Sequence, residues 1–377
     1  MFAKRTEWDL RPNALSQVLA RMRAAGEKII DLTESNPTKV GLQYPAELLK
    51  ELADPRGLRY EPDPRGLPVA RQAVASIYAA KGVVVDPGSI FLTASTSEAY
   101  SMLFRLLADP GDQVLVPRPS YPLFGYLAGL NDLETVSYPL HLESGCWRVG
   151  LKELEEAMTP RTRALIVVHP NNPTGSCLIA QELDRVAALC AKRGVALICD
   201  EVFAEYLLPG GRAVPATLLK EGGPLTFALG GLSKWMGLPQ MKLSWIACAG
   251  PEPELSHALE RLEVIADTAL SVSTPVQAAF PRWVGFAPAI QRQIRDRVQA
   301  NRAAIKELLP ADGGWSGVLE IPGGDDDETW ALEQLERRKL LVHPGYFYDF
   351  DQPGIAVVSL LVPPADFREG IRRLQAK

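Results

Sequence analysis

A lysine at 234, an aspartate at 200 and an asparagine at 172 each follow a short apolar run, and together they could carry amine–carbonyl chemistry. Lys234 lies in Gly230-Gly231-Leu232-Ser233-Lys234-Trp235, between the apolar residues 225–229 and the turn at Gly237. A lysine in a partly desolvated pocket loses its proton more readily, and the free amine can attack a carbonyl to form a Schiff base. A lysine that merely caps a strand end would look the same, so the weight falls on its companions. Residues 164–168 read as a buried strand entering Pro170-Asn171-Asn172-Pro173-Thr174-Gly175, and residues 195–199 end in Asp200-Glu201. Asn, Asp and Lys on successive strand ends predict one site at the carboxyl edge of a parallel sheet.

The elements needed to hold such a site are legible as periodicity. Apolar runs at 90–93, 113–116, 135–138, 164–168, 195–199, 225–229 and 243–249 alternate with amphipathic segments. That alternation predicts a mostly parallel sheet with helices on both faces. Helical spacing is expected at 13–22, 67–81 and 99–107, with a long helical stretch over 277–309. The last segment reads as strand 317–321, helix 327–338, strands 340–342 and 355–361, and helix 365–375, a smaller α+β unit. Asp325-Asp326-Asp327 reads as the acidic start of a helix.

In this order the motifs resemble those of the class I/II aminotransferases, fold-type-I enzymes that use pyridoxal 5'-phosphate, from about Leu32 to the last helix. The resemblance implies a three-layer α/β fold with a mostly parallel central sheet and a smaller α+β domain. It divides the chain into an N-terminal arm with part of the small domain (1–40), a large cofactor-binding domain (41–268) and a small C-terminal domain (269–377). It makes Lys234 of the Ser233-Lys234 pair the residue joined to the cofactor aldehyde, and the proton shuttle. Asp200 is then the partner of the ring nitrogen, which keeps that nitrogen protonated and the ring electron-withdrawing. Asn172 donates to the 3'-oxygen and Tyr121 stacks on the ring. Ser95, Thr96 and Ser97, at a strand-to-helix junction, hold the phosphate. Helix capping for Asp200 and the Ser95 loop, and a plain turn for Asn172-Pro173, are the structural alternatives. Tyr60, with its Pro-Asp-Pro-Arg-Gly loop, and Ser273-Thr274-Pro275 match segments that reach a neighbouring subunit, which implies a homodimer with shared sites. Asn36 falls in a substrate-covering loop.

The chain departs from the family pattern at several of these places. Phe203 stands where a tyrosine commonly adds a bond to the 3'-oxygen, with Tyr206 as a possible substitute. Gly231 replaces a phosphate-binding serine, and Lys242 replaces an arginine, keeping charge but losing the fork. Val357 occupies the place of the arginine that clamps a substrate carboxylate, and Ala269 that of a second arginine used for dicarboxylates. Either Arg5, Arg11, Lys39 or Arg118 supplies the replacement cation, or the natural donor is bound chiefly through its side chain or is an unusual amine.

Composition narrows the class further. A length of 377 residues suits two domains, and a net charge of −5 gives no electrostatic basis for a nucleic-acid or anionic-membrane partner. No apolar run approaches the ~20 residues of a membrane span, and the first residues lack an apolar signal core. The five cysteines lack CxxC spacing and four histidines are scattered, which predicts reduced thiols, a cytoplasmic setting and no metal site. The expected activity is amino-group transfer from an amino acid donor to a 2-oxo acid. A lyase or decarboxylase with the same cofactor is the alternative, since the bond aligned with the ring decides the outcome. A cofactor-binding transcription factor would need an added DNA-binding unit, and a nicotinamide dehydrogenase a G-x-G-x-x-G after an early strand.

Overall fold

Runs of Val, Ile, Leu and Ala fold into an eight-stranded sheet in this computed structural model, which describes residues 1–375 except Glu221, Pro322, Gly324 and Asp325. In chain order the strands are β1 (Ile90–Thr93), β2 (Gln113–Arg118), β3 (Glu134–Glu143), β4 (Cys146–Val149), β5 (Thr162–Val168), β6 (Ala196–Asp200), β7 (Thr226–Gly231) and β8 (Ser244–Ala249). Across the sheet the order is β1-β8-β7-β6-β5-β2-β3-β4. The central strands β7, β6, β5, β2 and β3 are mutually parallel. β8 runs antiparallel to both β1 and β7, and β4 antiparallel to β3.

β6 and β7 are buried along their whole length, which is why they read as unbroken apolar runs. Alternate residues serve opposite faces. Ile166, Ile198, Phe227 and Ile246 pack beneath the helices Thr96–Leu107 and Glu254–Asp267. Leu165, Leu197, Ala228 and Trp245 belong to the larger core, which includes buried residues of Pro68–Ala80, Ala180–Arg193, Thr274–Trp283 and Ala287–Ala303.

Beyond the sheet, β9 (Ser316–Glu320), β10 (His343–Pro344) and β11 (Ile355–Ser359) form a three-stranded antiparallel sheet, with helices Asp327–Arg338 and Pro364–Gln375. Ile30–Asp31 pairs in parallel with Leu340–Leu341, so the N-terminal region adds to this C-terminal unit. Among the described residues no helix is long and apolar enough to cross a membrane.

Two local readings change. The helical stretch over 277–309 divides into Thr274–Trp283, the turn Val284–Phe286 and Ala287–Ala303. Gly285 weakens the helix and Pro288, lacking an N–H, suits a new first turn. Past Ala303 the chain is extended enough for Leu308 to bridge Leu319. The strand β4 went unread, although Ser144 and Gly145 (φ 50° and 75°) supply the two-residue left-handed turn of a β3–β4 hairpin. Asp326 caps the helix Asp327–Arg338 as expected, accepting from the Glu328 N–H, while Asp325 lies outside the described residues.

Candidate active site

Loops from the carboxyl ends of β2, β5, β6 and β7 meet the small C-terminal sheet around a cavity of about 390 Å³. Lys234 lies in the single turn Leu232–Trp235 immediately after β7. Its backbone is pinned: the Tyr206 hydroxyl donates to the Lys234 carbonyl at 2.7 Å, and Gln291 Nε2 donates to that of Trp235 at 2.9 Å. The Nζ then sits 5.0 Å from the Trp315 ring centroid and 5.7 Å from that of Phe203. Burial lowers the lysine pKa, with the Asp200 charge opposing it. The result is an amine biased toward its nucleophilic form.

Asp200 ends β6 in the same cavity. The Tyr100 hydroxyl donates to Oδ2 at 3.0 Å and the Val202 N–H to Oδ1 at 3.2 Å. Burial nevertheless pushes the carboxyl up to about 6, against those two bonds and the Lys234 charge. A nearly dry carboxylate short of a cationic partner is what a protonated ring nitrogen would satisfy.

The two asparagines after β5 divide their work. Buried Asn171 donates to the Pro119 carbonyl at 3.0 Å and to Thr174 Oγ1 at 2.9 Å, fixing the loop. Asn172 lines the cavity and accepts from Ser316 Oγ at 3.0 Å through Oδ1, which leaves its NH₂ as the free donor. Gly175 closes the turn at φ 68°, and a Cβ there would come within 2.3 Å of the Gly313 carbonyl oxygen. Its own carbonyl accepts from Asp312 and Gly313 N–H groups, which locks the loop against the segment carrying Trp315 and Ser316.

Thr96 and Ser97 line the cavity at the first turn of Thr96–Leu107. Ser95 does not: its hydroxyl accepts from the Glu98 N–H at 3.1 Å, so the side chain is spent as the N-cap. Ser233 and Tyr121 also line the cavity, the latter packing edge-on against Phe124 at 6.2 Å.

Several sequence expectations are corrected. Lys242 is exposed, in a left-handed turn (φ 51°), outside the cavity lining. Asn36 turns its Oδ1 back on the Thr38 N–H and hydroxyl, and Thr33 and Ser35 of the same loop face the cavity instead. Tyr60 is exposed and lines a separate groove with Ala269 and Thr274, away from this chain's own site. Tyr206 cannot replace a tyrosine at 203, because its hydroxyl is bonded to the Lys234 carbonyl. None of the proposed replacement cations lines the cavity: Arg5 pairs with Asp132, Arg11 with Asp9 and Arg118 with Asp351, and Lys39 is exposed. Val357 does line it, opposite His343 in register. His343 shares a 3.0 Å hydrogen bond with the Tyr348 hydroxyl, and burial lowers its pKa, so this wall is neutral. Among the described residues Lys234 is the one lysine or arginine lining the cavity.

Trp315, Ser316, His343, Tyr348 and Ser244 escaped sequence reasoning, being brought in by long-range pairing. Tyr100 left a signal, one helical turn beyond Thr96 on the same face.

A half-buried lysine and a buried aspartate at the carboxyl edge of a doubly covered sheet, with a hydroxyl-bearing helix start beside them, define a group-transfer enzyme of the fold-type-I kind. The family model for aminotransferase class I and II matches residues 27–321, and the chain belongs to that family. It is 29% identical to the alanine aminotransferase of Mycobacterium tuberculosis, over 95% of this chain and 87% of the relative. It is 28% identical to the glutamate-pyruvate aminotransferase AlaA of Escherichia coli, over 92% and 89%. Among solved structures, the alanine aminotransferase of Pyrococcus furiosus superposes with a TM-score of 0.87 at 25% identity, covering 99% of this chain and 98% of the other. The chain is thus an amino-acid aminotransferase, and the lyase alternative gives way.

Proposed function

We propose that the cavity binds pyridoxal 5'-phosphate, and that the chain moves an amino group between a neutral amino acid and a small 2-oxo acid. One observation carries the reading: a lysine amine and an aspartate carboxyl share one buried cavity, and burial pushes each toward its uncharged form. When bound, the cofactor supplies an aldehyde and an electron-withdrawing ring. Lys234 would hold the cofactor through its aldehyde carbon, and its amine would carry the proton to or from the substrate α-carbon. Asp200 holds the ring-nitrogen proton, and Tyr100 and the Val202 N–H orient its carboxylate. Asn172 presents its amide N–H to the 3'-oxygen, held by Ser316. Thr96, Ser97 and Ser233 face the phosphate at a helix N-terminus. Tyr121 covers the ring. Tyr60 serves a partner's site in a homodimer.

The neutral wall bears on the substrate. Val357, Phe203, Trp315 and Tyr348 offer no counter-charge for an acidic side chain. The buried Trp315 indole N–H, which has no partner among the described residues, and His343 are neutral groups for a substrate carboxylate. The names of the two curated relatives favour alanine and pyruvate as one substrate pair. With L-alanine alone, protein loaded with the vitamin B6 aldehyde phosphate should lose its visible absorbance and release one equivalent of pyruvate per site. Retained absorbance with continuous release of ammonia or carbon dioxide defeats the reading.

Phe203→Tyr should add one hydrogen bond near the 3'-oxygen. The pH midpoint of the visible band is expected to fall by about one unit, the equivalent of one such bond. Superimposable titration curves for the two proteins count against this placement of residue 203.

A further inference from the structure

We propose that Ser244 is a phosphate-binding residue, supplying from β8 the hydroxyl that residue 231 cannot supply from β7. The proposal rests on the reading of the cavity given above and extends it to a residue outside the lysine and helix-start motifs.

The strand register places Ser244 where it matters. It pairs with Gly231 at the end of β7 and with Thr93 at the end of β1. One of those strand ends leads into Lys234 and the other into the helix Thr96–Leu107. Ser244 therefore sits between the two segments that converge on the anion-binding end of the cavity, and it lines that cavity with Thr96, Ser97 and Ser233.

Residues 231 and 244 compete for one space. An ideal Cβ on Gly231 would lie 2.2 Å from Ser244 Oγ and 2.9 Å from Ser244 Cβ. The glycine backbone is extended (φ 178°), a conformation any residue adopts, so only close approach demands a glycine here. With no Cβ at 231, the hydroxyl from the neighbouring strand fills the spot.

That hydroxyl is available. Ser244 is 1% exposed and lies in the cavity wall, beside Thr96, Ser97 and Ser233. Two other hydroxyls nearby are engaged, Ser95 as the helix cap and Ser316 on Asn172, while Thr96, Ser97 and Ser233 share the cavity with Ser244. A buried hydroxyl in a cavity wall next to a helix N-terminus is placed to donate to an anion bound there. With Lys242 exposed and outside the lining, neutral donors and the helix start carry the contact to a phosphate dianion, and each hydroxyl counts for more.

The test compares two vitamers that differ only in the phosphate. Dissociation constants for pyridoxal 5'-phosphate and pyridoxal, read by fluorescence of the purified full chain, are measured for wild type and Ser244→Ala. The phosphorylated form is expected to bind about tenfold to a hundredfold more weakly to the variant, the effect of one hydrogen bond to a charged group, with pyridoxal affinity unchanged. Gly231→Ser alone should lose phosphate-ester binding through the clash, and Gly231→Ser with Ser244→Gly should recover most of it. Equal losses for both vitamers would assign Ser244 a packing role and overturn the proposal, as would unchanged affinity for the phosphate ester. Wild-type protein that binds neither vitamer overturns the reading of the cavity, and this assignment with it.

Discussion

Lys234→Ala should abolish amino transfer, lowering kcat by on the order of 10⁴-fold or more, because no other lysine or arginine among the described residues lines the cavity. The same change should remove borohydride-fixed labelling by the B6 aldehyde at position 234. It should not cost stability. Burial holds the lysine pKa below its ordinary 10.5, so the unfolded chain binds more protons than the folded one between the two values. In that window stability rises with pH, and below it the folded state bears the full cost of a buried charge. Taken alone, this group should make the thermal midpoint of the cofactor-free protein climb toward pH 10, against the buried cysteines and tyrosines, whose raised pKa values act the other way. In Lys234→Ala that climb should be smaller, and the midpoint at pH 7 equal to or above wild type. A variant that retains transfer, or whose label appears elsewhere, removes Lys234 from the mechanism.

How far the sequence discloses this site depends on whether a contact is local. Lys234, Asp200 and Asn172 were visible because each ends a buried strand, and buried parallel strands are continuous apolar runs bounded by loops. The helix start at Thr96 was visible for the same reason. What misled were polar residues at the right place whose hydrogen bonds had a nearer use. Ser95 is taken by its own helix, and Asn36 by the turn to Thr38. Lys242 is turned out by a left-handed backbone. What stayed hidden came from pairings distant in the chain. Ser316 meets Asn172 across 144 residues, and His343 faces Val357 only because β10 and β11 are neighbours. The Gly231–Ser244 competition is a contact between strands and leaves no trace in either motif alone. Most of the sheet was legible for the opposite reason, since burial on both faces imprints each strand separately. β4 failed because a short half-buried hairpin strand carries almost no such imprint.

Asp200→Asn should separate function from stability in opposite directions. Without the carboxylate, no other acidic side chain among the described residues lines the cavity to hold a proton on the ring nitrogen, and activity should fall by about 10²-fold or more, the scale seen when a preorganised charge partner is removed. Cofactor affinity should fall with it. The cofactor-free protein should gain. The Asp200 carboxyl is pushed up to about 6 from its ordinary 3.8, so between these values the folded state binds more protons than the unfolded one. Stability then declines as pH rises through that interval, and above pH 6 the whole cost of the buried charge is present, roughly 3 kcal/mol at 1.36 kcal/mol per pKa unit. An amide has no proton to lose. The stability difference between Asp200→Asn and wild type should thus grow from pH 4 to 6 and level off above. Tyr100→Phe should act the other way, removing a bond that stabilises the carboxylate and raising its pKa further. Denaturant unfolding of the three cofactor-free proteins across pH 4–8 reads both effects. If Asp200→Asn is less stable than wild type at pH 7, some other positive group already compensates that carboxylate, and the argument for a cationic ring beside it loses its basis.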